Sequence, residues 1–454
     1  MTGFPAGPLA VTPVWLGRLR LQLNRLVPAL IAGSPRGLLS LTFEVPLSPP
    51  ALPVGSPLWC HWWRAAEGHR LLGLGRALVV EASGDDRFGR LQEAVKRLRA
   101  GWTRLNQGRA TPRARAFIGF AFDPRDRMEG VWRGYPNLAW WVPELLLEWR
   151  RGRCLLTFSH DRADGRPPQA VISGWLRQLH GVLASEPDTR EGRVVHGREM
   201  PEPSVWTARA ARAVAAMRAG RLAKVVLSRR RILTLESAPG LDGWCARLAE
   251  DFPSCAQLAV RFGGATLVAA SPERLLSMEG GVVACDAIAG TLSGGDERPG
   301  EAMRTLEHAP VVEAIREVLA SRCDHVETDA PGALRLNELS HIATRVRGRL
   351  RPGVGLCDLL VDLHPTPAVG GVPRPEALAW IRRSEADGRG WYTGAFGWTG
   401  DDERAELAVV LRCGLVGDGR LTLFAGAGLT PASDPAAELE ETRLKFRVLE
   451  GRLA

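Results

Sequence analysis

Apolar residues recur in two rhythms along this chain. In its first half, short runs rich in Leu, Val and Phe at residues 38–47, 70–82, 114–124 and 154–160 read as strands. Helical spacing appears between them, as in residues 90–102, but strands outnumber helices. A polar stretch from Glu186 to Pro203 is the best candidate boundary. It divides an N-terminal half, 1–195, from a C-terminal region, 196–454.

Beyond that stretch the pattern predicts a helix at 204–220, a strand at 224–233, a helix at 241–252, and strands at 256–262, 265–271 and 281–291. A long helix follows over 300–321, with Val311, Val312, Ile315, Val318 and Leu319 as its buried stripe and Pro310 interrupting it near the start. Later strands fall at 391–399, 405–416 and 420–428, the last two joined by an Asp418-Gly419 hairpin turn. The closing helix places Glu438, Glu441 and Lys445 on one side. Strand runs joined by hairpins, with long helices interspersed, predict an α+β fold with largely antiparallel sheets, not a doubly wound parallel one.

The 454 residues suffice for two domains or one two-lobed body, and a 45% hydrophobic content provides a sizeable core. The net charge of +9 is scattered; its one dense run, Arg229-Arg230-Arg231, lies inside a strand, so small anionic ligands fit better than nucleic acid. The eight cysteines form no C-x-x-C pair and read as buried thiols in a reducing compartment. With neither a leader pattern nor an apolar run of membrane-spanning length, a cytoplasmic location is expected.

Candidate chemistry gathers in short segments. "LHPTPAVGGVP" (363–373) is a rigid loop around His364 and Thr366, and "AIAGT" (287–291) brings a hydroxyl to a strand mouth. Glu273 follows a Ser-Pro turn, and Lys224 opens a strand. Alone, each has an ordinary role: a snorkelling lysine, a helix-dipole glutamate, a solvated ion-pair face.

Together with "KVVLSR", "SPERLL", "LEHAPVVEAI", "LSHIATRVRG", "LRCG" and "FAGAGLTPASDPAAELEETRLK", these segments resemble the chorismate-utilising enzymes over most of Trp206 to Leu449. The resemblance implies two large, mostly antiparallel sheets forming a sandwich core with helices outside. It implies Mg²⁺ held by Glu307 and Glu441, with Glu438 close by, an arrangement suited to a hard ion that prefers carboxylate oxygen. Arg412 and Lys445 would bind substrate carboxylates, helped by backbone near Gly426 and Gly428, while Thr291, His341 and Tyr392 would line the ring site.

Within that superfamily, a lysine at the position of Lys224 marks enzymes that add water to chorismate; relatives that add ammonia carry Gln. Ala289 stands where aminodeoxychorismate synthases carry a lysine that forms a covalent adduct. The resemblance therefore implies isochorismate synthesis: water adds at C2 with Lys224 as base, and the C4 hydroxyl leaves with a proton from Glu273. Substrate and product are isomers, so no redox cofactor is needed. Menaquinone biosynthesis is the expected pathway, and a monomer or weak homodimer the expected state. Salicylate synthase or a siderophore-pathway isochorismate synthase is the alternative; anthranilate synthase component I and an inactive relative rank lower. Arg304 departs from the family by removing an acid three residues before Glu307.

Overall fold

A computed structural model describes residues 13–33, 36–107, 114–292, 303–336, 339–385 and 387–453. Two sheets dominate it. The larger has 13 strands and draws on both halves of the chain. It runs from the edge strand Arg193–Met200 through Lys224–Ser237, Arg420–Leu429, Cys413–Gly417, Ala265–Ser271 and Ala256–Phe262. It then continues through Leu58–Arg64, His69–Leu74, Leu145–Arg150, Arg153–Asp161 and Leu38–Val45 to Thr103–Gln107, while the short thirteenth strand Gly371–Val372 pairs with Lys224–Ser237 off this path. The second sheet has 10 strands, and among the described pairings only Leu38–Val45 with Thr103–Gln107 is parallel.

Three apolar layers account for the stacking. Trp62, Leu71 and Leu258 of the large sheet pack with Phe117, Trp141, Phe396 and Ala408 of the smaller one, forming the core between them. A second layer joins the outer face of the large sheet to helices through residues such as Trp175, Trp244 and Phe446. A third does the same for the smaller sheet with Phe88, Val311, Ile315 and Leu360. Strands covered on both faces carry near-continuous apolar runs, which is why Arg115–Phe120 and Leu138–Val142 show no alternation.

Several segments that read as single strands are two, because the chain crosses between sheets. Residues 70–82 split into His69–Leu74 in the large sheet and Leu78–Ala82 in the smaller. Residues 405–416 split into Ala405–Val409 and Cys413–Gly417, with Arg412 at φ 47° in the crossing. The same step separates Ala265–Ser271 from Arg274–Glu279 and leaves Glu273 between them. An apolar pattern reports burial on both sides, which persists through a crossing, so the sequence carries no mark of it.

Two further segments gain structural detail. The stretch 186–203 contains the strand Arg193–Met200, paired to Lys224–Ser237 along its length; its exposed polar residues are those of a sheet edge. Pro310 marks the irregularity expected near the start of the long helix. It sits in the first turn of Ala309–Arg322, where its missing N–H costs nothing, and a π-helical turn, Met303–His308, precedes it. The hairpin turn holds as expected: Asp418 and Gly419 both have positive φ, 50° and 68°.

The arginine run is neutralised where it stands. Arg229 is buried, pairs with Glu199 and donates to Thr442 Oγ1 at 3.3 Å. Arg230 meets Asp387 at 3.2 Å and Arg231 meets Glu450 at 3.0 Å, leaving no basic stripe. All eight cysteines are free and buried. Among the described residues no helix is long and apolar enough to cross a membrane.

Candidate active site

A cleft opens where the strand Lys224–Ser237, the strand Arg420–Leu429, the two crossings and the closing helix meet. Lys224, Glu273, Glu307, His341, Tyr392, Arg412, Gly426, Gly428, Glu441 and Lys445 all line it. Glu438 stands back from the lining and accepts a 2.7 Å hydrogen bond from Ser433 Oγ. Thr291 lies opposite His341 in the strand ladder, and its side chain falls outside the described residues, as does that of Arg304.

Period-two geometry delivers Lys224 to the cleft. Val225 and Leu227 enter the core, so Lys224 and Val226 face the other way. The lysine is 3% exposed, and its Nζ donates to the Glu307 carbonyl at 3.0 Å. Burial pulls the amine down to about 8, against the opposing pull of Glu307 and Glu273. Glu273 is 2% exposed, and its Oε1 has no hydrogen-bond partner among the described residues. Burial, reinforced by Asp286, pushes its carboxyl up to about 8 although Lys224 and Arg412 oppose the shift. Near neutral pH the cleft therefore holds a carboxylic acid and an amine able to exist without its proton.

Arg412 and His341 form a second unit. His341 Nδ1 meets the Gly290 carbonyl at 3.1 Å, which requires the proton there and leaves Nε2 to accept from Arg412 at 2.8 Å. Burial, with Arg412 and Lys445 adding to it, lowers the imidazole to about 3, so it stays neutral. A neutral acceptor fixes the guanidinium without cancelling its charge.

The closing helix is capped by Asp434, whose side chain accepts from the Ala436 amide, and begins with Pro435. It buries Leu439, Thr442, Phe446 and Leu449 and turns Glu441 and Lys445 to the cleft. Lys445 bonds Glu441 at 2.5 Å and the Gly426 carbonyl at 2.8 Å. Gly426 and Gly428 lie in the ladder opposite Ser228 and Val226. Their missing side chains leave room for neighbours: a Cβ at Gly426 would come within 2.9 Å of Tyr392 Oη, and one at Gly428 within 3.3 Å of Lys224 Cε.

The carboxylates feel one another. Burial raises Glu307, with Glu441 adding to the effect, and burial followed by Glu441 raises Glu438 to about 7. Among the described residues no three His, Cys, Asp or Glu groups close around a common point. The oxygen-only donor set and its mutual repulsion nevertheless suit a hard cation.

Sequence reasoning placed attention on His364 and Thr366, but neither lines the cleft; Ala368 and Val369 of the same loop do. His364 supports the site from behind, bonding the Thr393 carbonyl at 3.1 Å. Val226, Ile288 and Phe424 also line it and went unrecognised, since apolar residues in strands carry no sign of facing a ligand; Thr393, in a turn, lines it as well.

The family model described as chorismate binding enzyme matches residues 55–454. The chain belongs to the chorismate-binding enzymes. The salicylate biosynthesis isochorismate synthase of Pseudomonas aeruginosa is 33% identical over 411 residues, 87% of this chain and 85% of its own length. The isochorismate synthase MenF of Bacillus subtilis is 31% identical over 342 residues, 73% of each. The fold of this chorismate-binding enzyme resembles that of the menaquinone-specific isochorismate synthase MenF of Escherichia coli. That match has a TM-score of 0.79 at 21% identity, covering 97% of this chain and 99% of the other. Anthranilate synthase component I of Streptococcus pneumoniae shares the fold at a TM-score of 0.68 and 19% identity, over 84% of this chain and 92% of its own. Two large, mostly antiparallel sheets with helices outside are thus the family architecture, as the sequence resemblance implied.

Proposed function

We propose that this enzyme is an isochorismate synthase, converting chorismate to isochorismate by adding water at C2 and expelling the C4 hydroxyl. The observation that carries the reading is the pairing of a buried Lys224, whose amine burial makes easier to deprotonate, with a buried, protonated Glu273 in one cleft that also presents Arg412 and Lys445. Relatives named isochorismate synthase in Pseudomonas aeruginosa and Bacillus subtilis support it.

In this reading Arg412 and Lys445 receive the two carboxylates of the substrate and hold the ring in one orientation. Neutral Lys224 takes a proton from water as its oxygen attacks C2. Glu273 gives its proton to the C4 oxygen, so that water and not hydroxide departs. The double bond shifts between them, and the two side chains are left as ammonium and carboxylate. Proton return from Lys224's side to Glu273's side, through solvent, resets the site. General acid and base groups poised near the working pH are the efficient choice.

Glu307 and Glu441 would hold Mg²⁺, with Glu438 beside them. When bound, the ion supplies positive charge that anchors and neutralises the ring carboxylate. A lysine here, and an alanine at 289 with no amine to form an adduct, favour water over ammonia as the nucleophile. The proposed pathway is menaquinone formation, in keeping with the MenF relative of Bacillus subtilis. The Pseudomonas aeruginosa relative, named for salicylate biosynthesis, supports the alternative in which the same product feeds salicylate.

Incubation of purified protein with chorismate and Mg²⁺, with and without ammonium, tests the reading by chromatography. Isochorismate alone is expected; salicylate with pyruvate, or an aminated product, overturns it.

A further inference from the structure

One buried ion pair lies behind the cleft and takes no part in the chemistry above. Arg389, 4% exposed, bonds both oxygens of Glu385, at 2.7 and 2.6 Å. The guanidinium reaches further: to the Val226 carbonyl at 2.7 Å, the Val369 carbonyl at 2.9 Å and Thr393 Oγ1 at 3.4 Å. Glu385 in turn accepts from the Ser228 amide and hydroxyl, both at 2.8 Å. Val226, Val369 and Thr393 all line the cleft, and they come from three separate segments. The ring of Phe122 covers the guanidinium at 4.3 Å.

Thr393 shows what is being held. It is β-branched yet has φ 60°, a conformation that persists only when its surroundings impose it. Its N–H bonds the Val410 carbonyl at 2.9 Å, its carbonyl accepts from His364, and its hydroxyl donates to the Tyr392 carbonyl at 2.6 Å. Arg389 secures the remaining side, next to Tyr392, itself a cleft residue. A planar fork of five donors can serve this many acceptors at once; an ammonium cannot.

We propose that Arg389, locked by Glu385, is a positioning residue that spaces the Val226, Val369 and Thr393 walls for the substrate. It thereby sets affinity and not the chemical step. Lys224 is held independently by its strand ladders and by the Glu307 carbonyl. The inference rests on chorismate being the substrate.

The test uses full-length Arg389→Lys, the double variant Glu385→Gln/Arg389→Met, and Arg115→Lys as a control. Arg115 is equally buried and is paired with Glu148 at 3.4 Å, but it touches no cleft residue. The double variant leaves no unpaired charge behind, so it guards against simple misfolding. Chorismate kinetics are measured across pH, at a temperature where near-UV circular dichroism shows folded protein. Both Arg389 variants should raise KM about tenfold or more, since small misplacements are costly, with kcat within about threefold and the pH limbs unmoved. Arg115→Lys should lose thermal stability and keep its KM. A native KM in a folded Arg389 variant overturns the proposal. So does a fall in kcat at fixed KM, or an equal rise in KM for Arg115→Lys. Wild-type protein inactive on chorismate would instead overturn the functional reading.

Discussion

Replacing Glu273 by Gln keeps the shape of the side chain and removes its proton, so it separates chemistry from packing. Turnover should fall by about 10²- to 10⁴-fold, the range a positioned general acid contributes. Stability should respond in the opposite sense. Because burial raises the folded-state carboxyl to about 8, above its unfolded value, folding takes up a proton between the two. The contribution of Glu273 is thus fully present below the unfolded value near 4.5 and is lost as pH rises through about 8. At 1.36 kcal/mol per pH unit, wild type should lose about 2–3 kcal/mol of stability between roughly pH 5.5 and pH 7.5 through this one group. Lys224, lowered to about 8, stays protonated in both states over most of that window and adds little to the slope. Glu273→Gln should lack this loss, and urea titrations of both proteins at the two pH values measure the difference. Equal pH slopes would refute a buried, protonated Glu273, and near-native turnover would refute its role as acid.

Lys224→Ala should abolish turnover while the protein remains folded, since the amine is desolvated and its removal strands no buried partner charge; steady-state rates with circular dichroism check both halves. Gly428→Ala puts a methyl 3.3 Å from Lys224 Cε and should cut kcat about tenfold or more by displacing the amine, with a crystal structure showing the shift. Glu441→Ala should lose activity that added Mg²⁺ only partly restores, followed as rate against Mg²⁺ concentration. For the intact enzyme, kcat/KM should rise as Lys224 deprotonates and fall as Glu273 ionises, both near pH 8. The profile should be a narrow bell there, not a plateau.

Much of the site was legible because its chemistry needs particular residue types. Lys224, Glu273 and Arg412 are charged residues inside otherwise apolar segments, and the ordered set of motifs that resembles the chorismate-utilising enzymes pointed to them together with Glu441 and Lys445, all of which line one cleft. Their supports were harder to read. His364 looked like a site residue because it stands in a proline-fixed loop, yet its ring serves the backbone of Thr393. Arg389 and Glu385 look like surface charges in "SEADGRG", and only the fold shows Arg389 buried, and Glu385 half-buried, behind three cleft walls. The sheet crossing at residues 410–412 left no trace in the apolar pattern, since the strands on either side of it are buried alike. That crossing positions Arg412, so the geometry of the site depends in part on one of the least visible features of the chain.

Running the reaction in ¹⁸O-labelled water and weighing the product by mass spectrometry bears most directly on whether Lys224 recruits solvent. One heavy oxygen at C2 of isochorismate is the outcome this mechanism requires. Unlabelled isochorismate would mean that the substrate's own hydroxyl migrates, and the roles given to Lys224 and Glu273 would have to be abandoned.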